Sequence, residues 1–388
     1  MKNLVSSPRP TKIAPTLPIM SKARYILVGG FLGAGKTTAL AALAAHFQKR
    51  GQRVGVITND QGSELVDTAT LRASGFATEE IPGGCFCCRF DLLIKAVQRL
   101  EAAAMPEVFL AEPVGSCTDL VATVTYPLQK LYGTSYVIAP VSTLVDPLRA
   151  DQVLGLEPAE SFNEKVLYIY RKQLEEADVI VITKTDLLDA PRLDRLRAKI
   201  ASEFPAAKVL AISTYEKRGL DEWFSLLETG TQGTRNAMEV DYEIYAEGEA
   251  LLGWLNATIE FTLPKEVPGE ALLYSVGRNV QAGLAGIEIA HLKIALRPDE
   301  SKEVGVINLV RRGGKPEISR HLDVPIQVGE LTVNLRAEAT PEKLHTAVRG
   351  AIVAVAREFP GMLTEFAHLQ YFRPGKPVPT HRMTSLAA

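Results

Sequence analysis

The sequence predicts an α/β fold, a doubly wound and mostly parallel sheet, followed by a second, smaller α+β domain of the ferredoxin-like type. Two observations predict it. Short β-branched runs alternate with helical segments up to about residue 228, and beyond residue 248 several strands occur with two helices. The expected organisation is a flexible leader at 1–22, a first domain at 23–229, a linker at 230–248, the α+β domain at 249–374 and a loose tail at 375–388.

The composition is that of an ordinary globular protein. Of 388 residues, 46% are hydrophobic and 23% are charged, and the length allows two domains. A formal net charge of −2 provides no global attraction to nucleic acid or to an anionic membrane. No apolar run reaches the roughly eighteen residues that a membrane span needs, and prolines interrupt the N-terminal segment. We therefore expect a cytoplasmic protein without a nucleic-acid or membrane partner.

The first strand, around residues 25–28, leads into the sequence GGFLGAGKTT at residues 29–38. Residues 30–37 fit the phosphate-binding pattern G-x-x-x-x-G-K-[ST], between the strand and helix that this pattern requires. Glycines let backbone N–H groups turn toward an anion, and the helix N-terminus adds donors. Lys36 would reach the β- and γ-phosphates, and the Thr37 hydroxyl would bind Mg²⁺. The predicted phosphate-binding residues are Gly30, Gly33, Ala34, Gly35, Lys36, Thr37 and Thr38. A simple strand-to-helix connection is the alternative.

A second strand is expected at residues 53–58, after a helix that covers about residues 37–50. It delivers Asp60 to its C-terminal end. Since ligands of open α/β sheets bind beyond the carboxyl ends of the strands, Asp60 is expected on the same edge as the glycine loop. A turn or N-cap role for Asp60 fits its position equally well.

Three cysteines, Cys85, Cys87 and Cys88, are crowded in the sequence PGGCFCC between a strand and a helix. Thiolates at this spacing can converge on one soft or borderline cation such as Zn²⁺, and a position ahead of a helix would lower their pKa values. The alternative is that they are small buried core residues. Cys117 lies far along the chain and could complete a four-thiolate site only if the fold brings it close, so we expect a structural role for it.

The apolar run at residues 107–111 ends in Glu112, and Gly115 follows. An acid at the end of such a strand would hold Mg²⁺ or its water, and the glycine N–H would contact the γ-phosphate. Further strands are expected within residues 135–146, 178–182 and 207–213.

The sequence TKTD, residues 183–186, follows the strand at 178–182 and resembles the base-recognition element of GTPases. The Asp186 carboxylate would accept two hydrogen bonds from guanine, and the Lys184 stem would pack on the base. Adenine lacks these donors in that arrangement, which favours GTP. The predicted base-binding residues are Thr183, Lys184, Asp186 and Ser213.

The second domain is expected to contain strands at 251–263, 292–296, 304–311, 328–336 and 363–372, with helices at 269–286 and 340–359. The number of strands is left open.

Together, GGFLGAGKTT, TNDQG at 58–62, GGCFCC at 83–88, EPVG at 112–115 and TKTD resemble the CobW/HypB/UreG family of metallochaperone GTPases, and most closely its CobW-like branch. The resemblance covers about residues 24–228, and its most specific element is the three-thiol sequence. It implies that Asp60 takes part in Mg²⁺ coordination or positions the attacking water, that Gly115 senses the γ-phosphate, and that the three thiols bind a metal. The resulting catalytic set is Lys36, Asp60, Glu112 and Gly115, with Thr37, Asp60 and Glu112 at Mg²⁺.

The resemblance also implies GTP or GDP, Mg²⁺, and Zn²⁺ or else Co²⁺ or Ni²⁺ as ligands. The implied partner is a client metalloprotein or metallocofactor enzyme, with a nucleotide-dependent homodimer as an open arrangement.

The sequence departs from the family pattern in three places. Residues 59–63 read NDQGS where many CobW-like members carry an acid-rich element, Thr183 replaces the commoner Asn, and the six His residues are scattered. Metal storage is therefore not expected, and the identity of the metal stays open. Two other functions also stay open: a P-loop kinase or biosynthetic enzyme with a structural Zn²⁺ site, and a nucleotide-gated scaffold.

Overall fold

The structure is a computed structural model that describes residues 22–59, 71, 75–157, 162–301 and 303–386. The strands of its first part are β1 (Ala23–Gly30), β2 (Val54–Asn59), β3 (Ala77–Ile81), β4 (Val108–Glu112), β5 (Tyr136–Ile138), β6 (Ser142–Val145), β7 (Val179–Ile182) and β8 (Lys208–Ala211). The helices of this part are α1 (Lys36–Lys49), α2 (Phe90–Ala104), α3 (Tyr126–Tyr132), α4 (Pro147–Val153), α5 (Glu164–Glu175), α6 (Ala190–Glu203) and α7 (Leu220–Thr229).

The second part of the described chain consists of α8 (Tyr242–Leu251), β9 (Gly253–Pro268), α9 (Gly269–Gly283), β10 (Ile289–Pro298), β11 (Gly305–Leu309), β12 (Glu317–Arg320), β13 (Pro325–Ala337), α10 (Pro341–Glu358) and β14 (Leu363–Phe372).

The first sheet contains eight strands in the described chain, in the order β3-β2-β4-β1-β6-β7-β8, with β5 beside the beginning of β1. Its strand pairs are parallel. Tyr25 and Leu27 of β1 pack into one apolar cluster, and the alternate residues Ile26 and Val28 pack into another. Both faces of the sheet are therefore covered, which explains why its strands read as continuous apolar runs.

The second sheet is antiparallel, in the order β12-β11-β10-β13-β9-β14. Without β11 and β12, the order β14-β9-β13-β10 is the four-strand arrangement of a ferredoxin-like βαββαβ unit. The hairpin β11-β12 extends this unit at the β10 edge. The predicted fold class, a doubly wound sheet with a second α+β unit, is confirmed.

Helix α8 begins inside the segment that was predicted to be a linker, 230–248, and ends three residues beyond it. Asp241 caps it by accepting hydrogen bonds from the N–H groups of Glu243 and Ile244 at 2.9 and 3.1 Å. Tyr245 is fully buried, so α8 has its own place in the core. The domain boundaries stay a prediction. Within the described residues, no helix has both the length and the apolar character that crossing a membrane requires.

Glu176 is a buried carboxyl group directly after α5. It accepts hydrogen bonds from the Val121 N–H at 3.1 Å and from the Thr118 hydroxyl at 3.3 Å. Burial, together with the nearby charge of Asp119, raises the pKa of Glu176 to about 8. The folded protein therefore holds a proton on this carboxyl group at neutral pH.

We predict that Glu176→Gln flattens the pH dependence of folding stability. Because the folded pKa exceeds the unfolded value, this proton stabilises the fold fully below about pH 4.5, and its contribution is lost as the pH rises to about 8. Between pH 6 and 8 the free energy of unfolding of the wild type should fall by about 2 kcal/mol relative to the variant. Urea titrations at both pH values measure this. Glu175→Gln, at the exposed neighbour, should behave like wild type, and identical slopes for wild type and Glu176→Gln would contradict the prediction.

Candidate functional site

The loop between β1 and α1 requires glycine at two positions. Gly30 and Gly33 have φ values of 128° and 80°, a region that L side chains rarely adopt. An added Cβ atom would lie 2.2 Å from the Leu144 carbonyl oxygen at Gly30, and 2.6 Å from Val310 Cγ1 at Gly33. Lys36 Nζ donates to the Gly30 carbonyl at 2.9 Å. The loop thus has the backbone conformation and the cation that phosphate binding requires.

A hydroxyl and a carboxylate meet beside this loop. Strand β4 lies between β1 and β2, so its terminal Glu112 arrives next to the start of α1. The Thr37 hydroxyl donates to Glu112 Oε1 at 3.1 Å. These are hard oxygen donors of the type that Mg²⁺ prefers. Gly115 lines the same cavity.

Thr183 and Lys184 hold the loop from the β7 side. The Thr183 hydroxyl donates to the Ala34 carbonyl at 2.9 Å, and Lys184 Nζ donates to the Gly33 carbonyl at 2.9 Å. Thr183, which stands where the family commonly has Asn, therefore still holds the glycine loop by a side-chain hydrogen bond.

Asp186 and Ser213 lie farther along this edge, and neither lines the cavity beside the loop. The Ser213 hydroxyl donates to Asp186 Oδ1 at 2.5 Å. The two predicted base-binding residues at the ends of neighbouring strands β7 and β8 are thus brought together.

A cavity of about 350 Å³ separates the loop from the second sheet. Its lining from the first part of the chain includes Gly33, Gly35, Lys36, Thr37, Thr38, Glu112, Gly115 and Lys184, and the second sheet adds His291, Lys293, Arg320 and Arg336. Sequence reasoning missed these basic residues of the second sheet. The available signal was the occurrence of His291 and Lys293 at alternate positions of an otherwise apolar strand.

The guanidinium group of Arg149, a residue of helix α4, joins the two sheets. It is 3% exposed and donates to the carbonyl groups of Ile289 at 3.0 Å and of Val310. It also pairs with Glu288 at 3.4 Å and lies 5.6 Å from the ring of Phe31, a residue of the glycine loop.

Asn59, the last residue of β2, connects the cavity to the cysteine sequence. It lines the cavity. Its amide donates to the carbonyl groups of Ile81 at 2.8 Å and Gly84 at 2.6 Å, and its oxygen accepts from the Phe86 N–H at 2.9 Å. Asp60, which follows Asn59, is outside the described residues, so its predicted role stays a prediction.

The three cysteines form one cluster of sulfur atoms. Cys85 Sγ lies 2.7 Å from Cys87 Sγ and 3.1 Å from Cys88 Sγ, and the remaining pair is 3.6 Å apart. Cys85 and Cys87 are buried, and Cys88 is partly exposed. The three sulfur atoms are close enough to one another to share a metal ion.

Cys117 is buried in the same apolar cluster as Cys85 and Cys87, and it influences the pKa values of their thiols. Hydrogen bonds from Cys117, Cys87 and Cys88 hold the pKa of Cys85 well below its ordinary value. The pKa of Cys87 is raised, chiefly by its hydrogen bond with Cys117, and the hydrogen bond with Cys85 raises that of Cys88 to about 11. The expected lowering thus occurs at Cys85 only, and its cause is hydrogen bonding by neighbouring thiols and not the following helix.

The tail packs against the cysteine cluster instead of lying loose. The Val378 N–H donates to Cys88 Sγ at 3.2 Å, and the Thr380 N–H donates to the Cys87 carbonyl at 2.9 Å. Arg382 pairs with the buried Asp119 at 2.8 Å. Backbone hydrogen bonding of this kind leaves no periodic pattern in the sequence, which is why it was not predicted.

The parallel sheet and its glycine loop define a nucleotide-binding protein of the P-loop class. Residues 24–211 match the CobW/HypB/UreG nucleotide-binding domain. This part of the chain belongs to that family.

Curated relatives agree with this membership. The chain is similar to the zinc chaperone CobW of Pseudomonas aeruginosa, with 30% identity over 48% of this chain and 56% of the relative. It is also similar to the zinc chaperone YeiR of Escherichia coli, with 35% identity over 42% of this chain and 47% of the relative. The chain thus spans about half the length of the curated relatives it matches.

Solved structures give weaker likenesses. HypB from Helicobacter pylori in complex with nickel has a TM-score of 0.38 and 19% identity, over 53% of this chain and 86% of that chain. Zn(II)-bound YjiA GTPase from E. coli has a TM-score of 0.35 and 17% identity, over 86% of this chain and 99% of that chain.

We predict that ending the chain after Pro374 makes Cys88 more reactive. The truncation removes the Val378 hydrogen bond to its sulfur and the covering segment. Loss of contacts worth about 1 to 2 kcal/mol should raise the rate of native-state thiol labelling about tenfold. Mass spectrometry after timed labelling measures this at Cys88. Lys376→Ala, which breaks only an ion pair with Glu243 in the same tail, should leave the rate unchanged, and an unchanged rate in the truncated chain would refute the prediction.

Proposed function

We propose that the protein is a Mg²⁺-dependent GTP-binding and GTP-hydrolysing metallochaperone. Its nucleotide state would control binding of Zn²⁺, Co²⁺ or Ni²⁺ by Cys85, Cys87 and Cys88, and the metal would be delivered to a client metalloprotein or cofactor pathway. The observation that carries this proposal is Asn59, which lines the cavity beside the glycine loop and whose amide anchors the cysteine loop through three hydrogen bonds.

The nucleotide part rests on the loop and its neighbours. Lys36 would neutralise charge on the β- and γ-phosphates. Thr37 and Glu112 are suited to hold Mg²⁺, which when bound would offset charge on the phosphate oxygens. The basic lining from the second sheet favours an anionic ligand in the cavity. In this proposal Gly115 contacts the γ-phosphate, and Asp60 positions the attacking water or takes part in Mg²⁺ binding.

The metal part rests on the sulfur cluster. Three sulfur atoms within bonding reach of one centre suit a thiophilic divalent cation, which would be cargo and not a permanent part of the fold. The names of the matched relatives in P. aeruginosa and E. coli, both zinc chaperones, make Zn²⁺ the first metal to test. A client protein that accepts the metal is the corresponding partner.

Coupling between the two parts follows from the topology. Strands β2 and β4 are neighbours, so Asn59 and Glu112 end on the same edge of the sheet. A loop that closes on the γ-phosphate would change the position of Asn59, and through its amide the position of the thiols. Nucleotide and metal affinities would then be linked reciprocally.

We predict that Asp186→Asn changes the base preference of the nucleotide site from guanine to xanthine. The carboxylate would lose two charge-assisted hydrogen bonds from guanine, which should weaken GTP binding roughly a hundredfold or more. The new amide N–H can donate to the extra carbonyl of xanthine, so XTP binding should improve. Fluorescent-nucleotide titration compares GTP, XTP and ATP. Asp189→Asn, at the cap of α6, serves as control, and unchanged GTP affinity in Asp186→Asn would exclude guanine recognition by this residue.

We predict that metal affinity depends on nucleotide state and that Asn59 transmits the difference. Competition titrations of Zn²⁺ with a chromophoric chelator, in GDP and in a nonhydrolysable GTP analogue, should differ about tenfold in Kd. Asn59→Ala should reduce this ratio because the anchor to the cysteine loop is lost. Asn279→Ala, in α9 away from both sites, should retain it. Equal affinities in the two nucleotide states of the wild type would rule out the proposed coupling.

A further inference from the structure

One lysine of the second sheet, Lys293, faces the glycine loop across the cavity. It lies on β10, and its neighbours along the strand, Leu292 and Ile294, pack into the apolar core of the second sheet. Because successive side chains of a strand point to opposite faces, Lys293 points away from that core, and it lines the cavity beside the glycine loop. A cation in the interior of a sheet thus faces the predicted phosphate site.

Lys293 is part of a polar row that crosses the second sheet. It is directly opposite Asn308 of β11 on one side and Asn334 of β13 on the other. Residues that are opposite each other in paired strands share one face of the sheet. The Asn308 amide donates to Ser319 Oγ of β12 at 2.6 Å, and the Asn334 amide donates to Asn256 Oδ1 of β9 at 3.1 Å. These hydrogen bonds hold the surface from which Lys293 extends.

The second sheet contacts the glycine loop directly, which places this row near the phosphate site. Val310, the residue after β11, lies so close to Gly33 that a Cβ atom added to the glycine would be 2.6 Å from Val310 Cγ1. At the beginning of β10, the carbonyl group of Ile289 accepts a hydrogen bond from Arg149 at 3.0 Å. Both strands beside Lys293 and Asn308 are thus attached at the loop.

The lining of the cavity indicates which end of a nucleotide Lys293 would face. The lining includes Lys36, Thr37 and Gly115, which are expected at the β- and γ-phosphates and at Mg²⁺, whereas Asp186 and Ser213, which are expected at the base, are not part of it. Among the described residues, five Lys or Arg side chains and two Glu side chains line the cavity. The lining therefore has an excess of positive charge, which suits the terminal phosphate of a nucleoside triphosphate.

We propose that Lys293 binds the γ-phosphate, so that the second sheet distinguishes GTP from GDP. The proposal rests on the proposed function, since it adds a contact to the same nucleotide. Lys293 would donate to a γ-phosphate oxygen from the side opposite Lys36, and Arg320 of the edge strand β12 adds positive charge to the same wall of the cavity. A charge-assisted hydrogen bond of this kind strengthens binding of the triphosphate only, because GDP lacks the group that accepts it.

The test compares Lys293→Gln with the wild type in titrations of the full chain with fluorescent GDP and with a fluorescent nonhydrolysable GTP analogue, both with Mg²⁺. The variant should bind the GTP analogue about tenfold more weakly, while its affinity for GDP should change less than about twofold. Retained GDP binding also verifies that the variant is folded. Lys293→Arg, which keeps the positive charge, should retain most of the preference for the triphosphate.

Arg297→Gln is the matched control. It removes one positive charge from the same strand, but Arg297 is exposed, pairs with Glu330 at 3.2 Å and does not line the cavity. Both affinities of this variant should equal those of the wild type.

If Lys293→Gln does not fold, hydrogen exchange of the wild type decides the question. The amides of residues 310–320 should exchange more slowly with the GTP analogue than with GDP, because only the triphosphate reaches this wall of the cavity. An unchanged ratio of the two affinities in the folded variant, or equal exchange in the two states where the variant is unfolded, would overturn the proposed contact and leave the GTP-binding function standing. A wild type that binds neither nucleotide would overturn both proposals.

Discussion

A buried cation, Arg149, joins the two sheets. The Arg149 guanidinium is removed from water, and such a charge is tolerated only where hydrogen-bond acceptors and a counter-ion surround it. The acceptors are backbone carbonyls of β10 and of the turn after β11, and the counter-ion is Glu288. The same group lies 5.6 Å from the ring of Phe31 in the glycine loop, so Arg149 links the second sheet to the edge that carries this loop.

That placement explains why the site is built from distant parts of the chain. The ends of β1, β2 and β4 provide the loop, Asn59 and Glu112, while the second sheet provides the basic wall of the cavity. Asn59 at this edge makes hydrogen bonds with the backbone of Ile81 and Phe86, next to the sulfur cluster. The proposed nucleotide site and the sulfur cluster therefore lie at one edge of the first sheet.

The fold class and the position of the glycine loop were predictable because their signals are local. A buried parallel strand appears in the sequence as a continuous apolar run. A phosphate-binding loop requires a fixed sequence motif between a strand and a helix. The remaining features depend on contacts between remote segments. No local pattern shows that Lys293 lines the cavity beside the glycine loop or that Thr380 packs against Cys87. Helix α8 was not predicted because the segment around it is polar, although Asp241, a residue type that often caps helices, precedes it in the sequence.

The tail over Cys88 also has a consequence for the order of events during synthesis. The 167 residues from the end of β8 at Ala211 to Val378 take roughly 8 to 33 s to translate at about 5 to 20 residues per second. During that interval the strands of the first sheet have all been made, while the segment that covers the thiols does not yet exist. A nascent chain can thus meet metal ions or oxidants at the cluster under conditions that the finished protein never experiences.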